Sequence, residues 1–123
     1  MANKQRLRRM ADVIQRELSA LLRVEVKDPR IGLVTITDVD VSPDLAHAKI
    51  FYTTLAEGEV RAHTQEGLRR AAGFLRTSLG QRMSTHVVPE LRFQFDDSVE
   101  RGARLSQLID EALAPSKPPR ADD

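Results

Sequence analysis

The sequence predicts an α+β domain in which helices cover a mixed three-stranded sheet. Three observations lead there. Residues 34–41 and 46–55 alternate apolar and polar side chains and are separated by Ser42-Pro43-Asp44, a turn signal with proline at its favoured second position. A third alternating segment, 87–95, returns after a long helical stretch, and a strand–helix–strand crossover of that kind pairs its strands in parallel. Helical periodicity flanks this unit at both ends, so the order reads helix, strand, strand, helix, kink, helix, strand, helix.

The first helix is carried by Leu7, Met10, Ile14, Leu18 and Leu21, which recur at three- and four-residue steps and share one face. Arg9, Arg16 and Arg23 lie seven apart on the opposite face. The helix must end before Pro29, because the residue preceding a proline is driven out of the α region. Asp28-Pro29-Arg30 then reads as a tight Asx-type turn. In the first strand Val34-Thr35-Ile36-Thr37 alternates in one phase and Val39-Asp40-Val41 in the other, which places a bulge near Asp38. In the second, Ala48, Ile50 and Tyr52 face one way and Lys49, Phe51 and Thr53 the other.

Glu57-Gly58-Glu59 breaks the strand and sets acids at the start of the next helix, where the dipole favours them. Leu68, Ala71, Ala72, Leu75 and Leu79 form its apolar face, and Gly73 falls in its middle. A glycine there costs roughly 1 kcal/mol relative to alanine, so it marks a kink, a close backbone approach or a packing contact. In the third strand Leu91, Phe93 and Phe95 alternate with Arg92 and Gln94, and Pro89 sits at the entry. Asp97 is the expected N-cap of the last helix with Glu100 at its third position, and Val99, Leu105, Leu108, Ile109, Ala112 and Leu113 supply its apolar residues. Residues 1–113 make one domain, and 114–123, rich in proline and mixed charge, a disordered tail.

Composition narrows the function. The 123 residues include no cysteine, which excludes disulfides and thiolate chemistry and suits a reducing, cytoplasmic setting. No apolar run reaches the roughly 20 residues that span a bilayer, and the first residues carry no secretory signal. His47, His63 and His86 show no metal-ligand spacing, and there is no phosphate loop, dinucleotide fingerprint or nucleophile elbow. A non-enzymatic protein without cofactor or metal is expected.

The net charge of +1 conceals strong blocks. Residues 1–30 hold eight Lys/Arg against four Asp/Glu, and 61–92 six against two, while 31–60 hold one against five. Segregation of that kind builds a positive face for a polyanion. Within the second basic block Arg69, Gly73, Arg76 and Gly80 fall at i, i+4, i+7 and i+11, one stripe of a helix. Two arginines flanking a patch without side chains suit a sugar–phosphate chain lying against the helix. Arg70 and Arg82 flank the stripe, and Arg9 and Arg16 extend the surface if the first helix shares it. With four Phe, one Tyr and no Trp, recognition is expected to lean on phosphate and shape more than on stacking. A monomeric RNA-binding protein leads this reading. A protein-interaction adaptor using the first helix and the acidic hairpin is the alternative, and a metal-dependent hydrolase built on Asp38, Asp40 or Asp96 comes third.

Several of these pieces, in this order, resemble the ribosome-binding factor A family. They are Val24-Glu25-Val26-Lys27-Asp28-Pro29-Arg30-Ile31, Val34-Thr35-Ile36-Thr37-Asp38-Val39, and Ser42-Pro43-Asp44-Leu45-Ala46-His47-Ala48-Lys49-Ile50. Ala71-Ala72-Gly73-Phe74-Leu75-Arg76, Pro89-Glu90-Leu91-Arg92-Phe93 and Asp96-Asp97-Ser98-Val99-Glu100-Arg101-Gly102 complete the pattern. The resemblance covers nearly all of residues 4–113. It implies a type II KH fold in which an Ala-x-Gly kink, here Ala71-Ala72-Gly73, replaces the GxxG loop. It further implies binding to the free or immature 30S subunit and its 16S rRNA, help in late 5′-end processing of that rRNA, support of growth in the cold, and no catalysis. The tail here is short and mixed in charge, so no tail contact is carried over.

Overall fold

The computed structural model describes residues 4–24, 34–83 and 87–113. The elements are α1 (Lys4–Val24), β1 (Val34–Val41), β2 (His47–Thr54), α2 (Gly58–Arg82), β3 (Glu90–Phe95) and α3 (Ser98–Leu113). The sheet order is β1-β2-β3, with β1 and β2 antiparallel and β2 and β3 parallel, as the hairpin and crossover require. The register slips between Ile36 and Asp38, where the change of phase places the bulge. Asp38 accepts the Val39 backbone N–H there. The turn at Asp28–Arg30 and the tail fall outside the described residues.

One face of the sheet holds the core. Ile36, Val39, Val41, Ala48, Ile50, Tyr52, Leu91 and Phe93 are buried against Ile14, Leu18 and Leu21 of α1 and Leu68, Leu75 and Leu79 of α2. The α1 periodicity therefore points inward as read. Each edge strand also receives a glutamine amide from its covering helix. Gln15 donates to the Ile36 carbonyl of β1 at 3.3 Å, and Gln65 to the Phe93 carbonyl of β3 at 2.8 Å. The Tyr52 hydroxyl of the central strand donates to Gln65 Oε1, and burial raises the Tyr52 phenol above its ordinary pKa.

The strand-to-helix junction needs Gly58, whose φ of 57° is one that other residues seldom adopt. Leu45, at φ 62°, is held in the same region by the Ser42–His47 turn and by packing against the core.

The structure differs from the sequence reading at four places. The position of Gly73 suggests a kink between two helices, which the family resemblance sets at Ala71-Ala72-Gly73, whereas α2 runs through these residues as one helix of 25 residues. Buried leucines on both sides of Gly73 lie on a single face, and packing keeps the two halves in one helix. β3 begins at Glu90 rather than 87, after buried Pro89, which has no N–H for a ladder. Asp97 sits at the cap position of α3, but the capping carboxylate is its neighbour: Asp96 accepts the Ser98 N–H at 2.9 Å, while Asp97 pairs with Arg101 at 2.8 Å. Finally, α3 buries none of its residues, because α1 and α2 already cover the apolar face of the sheet. Contacts of its first turn tie it to the body, including Glu100 with Arg61 at 3.2 Å.

Asp96 is a second tie between that turn and the sheet. Hydrogen bonds from the Ser98 side chain, the Thr37 hydroxyl and the Ser98 backbone hold its carboxyl down at about 2. The folded protein thus binds this proton less readily than the unfolded chain, so acidification favours unfolding. The stabilisation is complete above about pH 5 and disappears as the pH falls toward 2. Replacement Asp96→Asn should lower the urea midpoint at neutral pH, with the difference from wild type closing as the solution is acidified; a pH-independent difference would refute the assignment. In the same assay Gln65→Leu, which strips partners from the Tyr52 hydroxyl and the Phe93 carbonyl, should lose about 2 kcal/mol. Adding Tyr52→Phe should recover part of that loss.

Candidate nucleic-acid interface

The packing of α2 sets its rotation about its own axis, and the rotation decides which residues are presented. Leu68, Leu75 and Leu79 point into the core. The neighbouring stripe of Gln65, Arg69, Ala72, Gly73 and Arg76 faces β3 across a groove of about 470 Å³. The opposite wall is Glu90, Leu91, Arg92 and Phe93. β3 is an edge strand, so the groove is open along one side.

Gly73 is exposed, and a Cβ built on it would meet nothing within 4 Å. That removes the packing explanation for this glycine. The bare backbone opens the groove and is not filled by a neighbour. Gly80, at the end of the stripe, is a different case: its Cβ would stand 3.3 Å from Val88 Cγ2, a contact that seats the end of α2 on the segment entering β3.

The cations have unequal freedom. The Arg69 guanidinium holds Glu66 through Nε at 2.9 Å and Nη2 at 2.6 Å. Arg70 Nε reaches the same carboxylate at 3.1 Å. These bonds, from Arg69 first and then Arg70, pull Glu66 down to about 2 and raise Arg69. Arg76 is anchored across the groove, Nε donating to the Val88 carbonyl at 3.1 Å, and pairs with no acid among the described residues. Arg92 stands 3.6 Å from Glu90, which also lies 3.7 Å from His47. Three arginines thus face one carboxylate, Glu90, in the groove lining.

Of the residues the sequence singles out, Arg69, Gly73 and Arg76 come together in this groove with Ala72. Ala71 is half-buried behind it, and Arg70 lies on the outer face of α2. Arg82 is placed elsewhere: it reaches Glu17 of α1 at 3.3 Å, stapling the two helices. Arg16 meets the same Glu17 at 3.6 Å, and Arg9 is exposed on α1. The first helix therefore does not contribute to the groove. Two residues escaped the sequence reading. Arg92 lines the groove only because β3 is the edge beside α2, which no spacing reveals. Glu66 was legible, lying three and four residues before Arg69 and Arg70.

Among the described residues no three His, Cys, Asp or Glu side chains gather as a metal site. Asp38 and Asp96 are engaged in the bulge and the α3 cap. No described helix is long and apolar enough to cross a membrane.

Fold and groove together define a small KH-like α+β domain with a cationic cleft between a helix and an edge strand. The chain belongs to the ribosome-binding factor A family, whose family model matches residues 6–109. It is 55% identical over 118 residues to ribosome-binding factor A of Thioalkalivibrio sulfidiphilus, covering 96% of this chain and 92% of that one. The counterpart from Nitrosospira multiformis is 56% identical over 115 residues, covering 94% and 91%. A Thermotoga maritima protein solved by solution NMR superposes with a TM-score of 0.66 at 33% identity, over 76% of this chain and 90% of that one. A homology model of the Thermus thermophilus factor, fitted into a cryo-EM map of its 30S complex, superposes at 0.58 with 25% identity, over 69% and 89%.

The open space at Gly73 has a measurable consequence. Gly73→Ala should stabilise the protein by about 1 kcal/mol, the helix-propensity difference, because the methyl meets no obstacle. Thermal unfolding that shows a loss instead would mean that this backbone is not ordinary helix.

Proposed function

We propose that the chain binds the small ribosomal subunit through rRNA phosphates held in the α2–β3 groove, and acts there as an assembly factor without catalysis. The observation that carries this reading is Gly73, kept bare between Arg69 and Arg76 at a stability cost that no packing contact explains. A close-approaching backbone is the remaining reason for it, and the surrounding charge selects a polyanion. The Thermus relative seen in a 30S complex supports the choice of partner.

Phosphate on Arg69 competes with Glu66, so Arg76, which meets no acid among the described residues, is the stronger anchor. Arg92 completes the cleft from the strand side. Arg70 adds to the field from outside the groove, and Arg9, Arg16 and Arg82 act at longer range. The subunit bound is the free or immature 30S particle. On this reading it holds the 16S rRNA during late maturation, including 5′-end processing, as a cytoplasmic monomer without a cofactor, and matters most when cold slows rRNA rearrangement.

Co-sedimentation tests the reading. Arg69→Glu combined with Arg76→Glu should abolish association with small subunits at near-physiological salt while the circular dichroism spectrum is unchanged. For the wild type, the logarithm of affinity should fall linearly with the logarithm of salt concentration, at a slope set by the phosphates contacted. Gly73→Ala should weaken association despite its greater stability. Undiminished co-sedimentation of the double variant would remove the groove from the interface.

A further inference from the structure

Phe74 follows Gly73 on α2 and is 53% exposed, whereas Phe93 is buried and Phe95 carries the Arg61 guanidinium 3.9 Å over its ring. Its ring belongs neither to the core nor to the groove lining. On the helix it adjoins Arg70 and Thr77, both exposed, so it is a lone aromatic in polar and cationic surroundings. A stable protein interface needs about 800 Å² from each partner, with an apolar centre. One ring hemmed by arginine does not offer that. It does match a nucleobase, which needs only a flat apolar face and brings a phosphate for the neighbouring guanidinium. The apolar residues of α3, Leu105, Leu108 and Ile109, are by contrast a continuous stripe of the kind a protein would cover.

The position of Gly73 links this ring to the groove. It lines the groove and adjoins Phe74 in sequence, and the space above it is open. A strand lying in the groove meets no side chain at the Cβ position of Gly73, and a base from it can turn toward Phe74 past Thr77, whose hydroxyl donates to the Gly73 carbonyl at 3.1 Å. We infer that Phe74 is a base-stacking platform for an unpaired nucleotide of the strand whose phosphates the groove holds, with Gly73 as the crossing point. This rests on the phosphate-groove reading and deepens it: the ligand is single-stranded RNA, not a duplex, whose bases are stacked on each other and closed to Phe74.

The test uses the full chain, a twelve-nucleotide oligo(A) and an abasic strand of the same length, which keeps the phosphates and lacks the bases. Wild type should bind oligo(A) more tightly than the abasic strand. Phe74→Ala should lose roughly 5- to 150-fold for oligo(A), the range for loss of one base–aromatic stack, and nothing for the abasic strand. Phe74→Trp would be the sole tryptophan of the chain; its emission should be quenched by oligo(A) and not by the abasic strand. Equal binding of both strands by wild type, equal losses on Phe74→Ala, or a tryptophan left unquenched by bound oligo(A) would each overturn the stacking site and leave the groove standing. Failure of wild type to bind either strand at low salt would overturn both. Loss of small-subunit association on Phe74→Ala with oligo(A) affinity intact would assign the ring to a protein contact and reject the inference.

Discussion

The rotation of α2 about its own axis is the constraint on which the rest of the surface depends. Leu68, Leu75 and Leu79 are fully buried, and a helix with three leucines locked into a sheet cannot turn without exposing them. Gln65 adds a directional bond to the β3 backbone, and Arg76 another to the segment entering it. Once these are set, every other position on α2 has its direction assigned. Arg69, Gly73 and Arg76 face the edge strand, while Arg70, Phe74 and Thr77 face solvent. The groove is a consequence of core packing; no separate loop builds it.

The same geometry sorts the charges. The acidic hairpin residues Asp38 and Asp40 lie on β1, and the basic stripe of α2 lies over β3, the other edge of the sheet. The sheet thus keeps the acids of β1 away from the groove, whose own lining sets one carboxylate, Glu90, against three arginines. Glu66 is a further acid, on α2 beside the basic stripe. It holds Arg69 and Arg70 in defined positions through three hydrogen bonds, so the field at that end of the groove is tempered.

Glycine serves this helix in two opposite ways. At Gly80 the absent Cβ lets Val88 come close, which is a matter of packing. At Gly73 it leaves a space that the protein does not use. Equal spacing on one stripe makes the two look alike in sequence, and only the neighbours in space tell them apart. Much the same holds for the apolar residues of α3. Their pattern is amphipathic, like that of α1, yet α1 is buried along its apolar face and α3 buries none of its residues, because the sheet has one apolar face and two helices already fill it.

What the sequence determined by itself was local or nearly so. The strand phases, the bulge near Asp38, the hairpin, the parallel crossover and the α1 core positions follow from periods of two and 3.6 and from turn chemistry, which act between neighbours along the chain. Arg69, Gly73 and Arg76 were legible as a stripe for the same reason. Tertiary structure alone decided that α2 stays one helix through Gly73, that Arg82 is spent on Glu17, that Arg92 joins the groove and that α3 stands exposed. Each of these depends on which surfaces meet across a distance in sequence, and burial energy, being proportional to the area two elements hide from water, is a property of the pair and not of either segment.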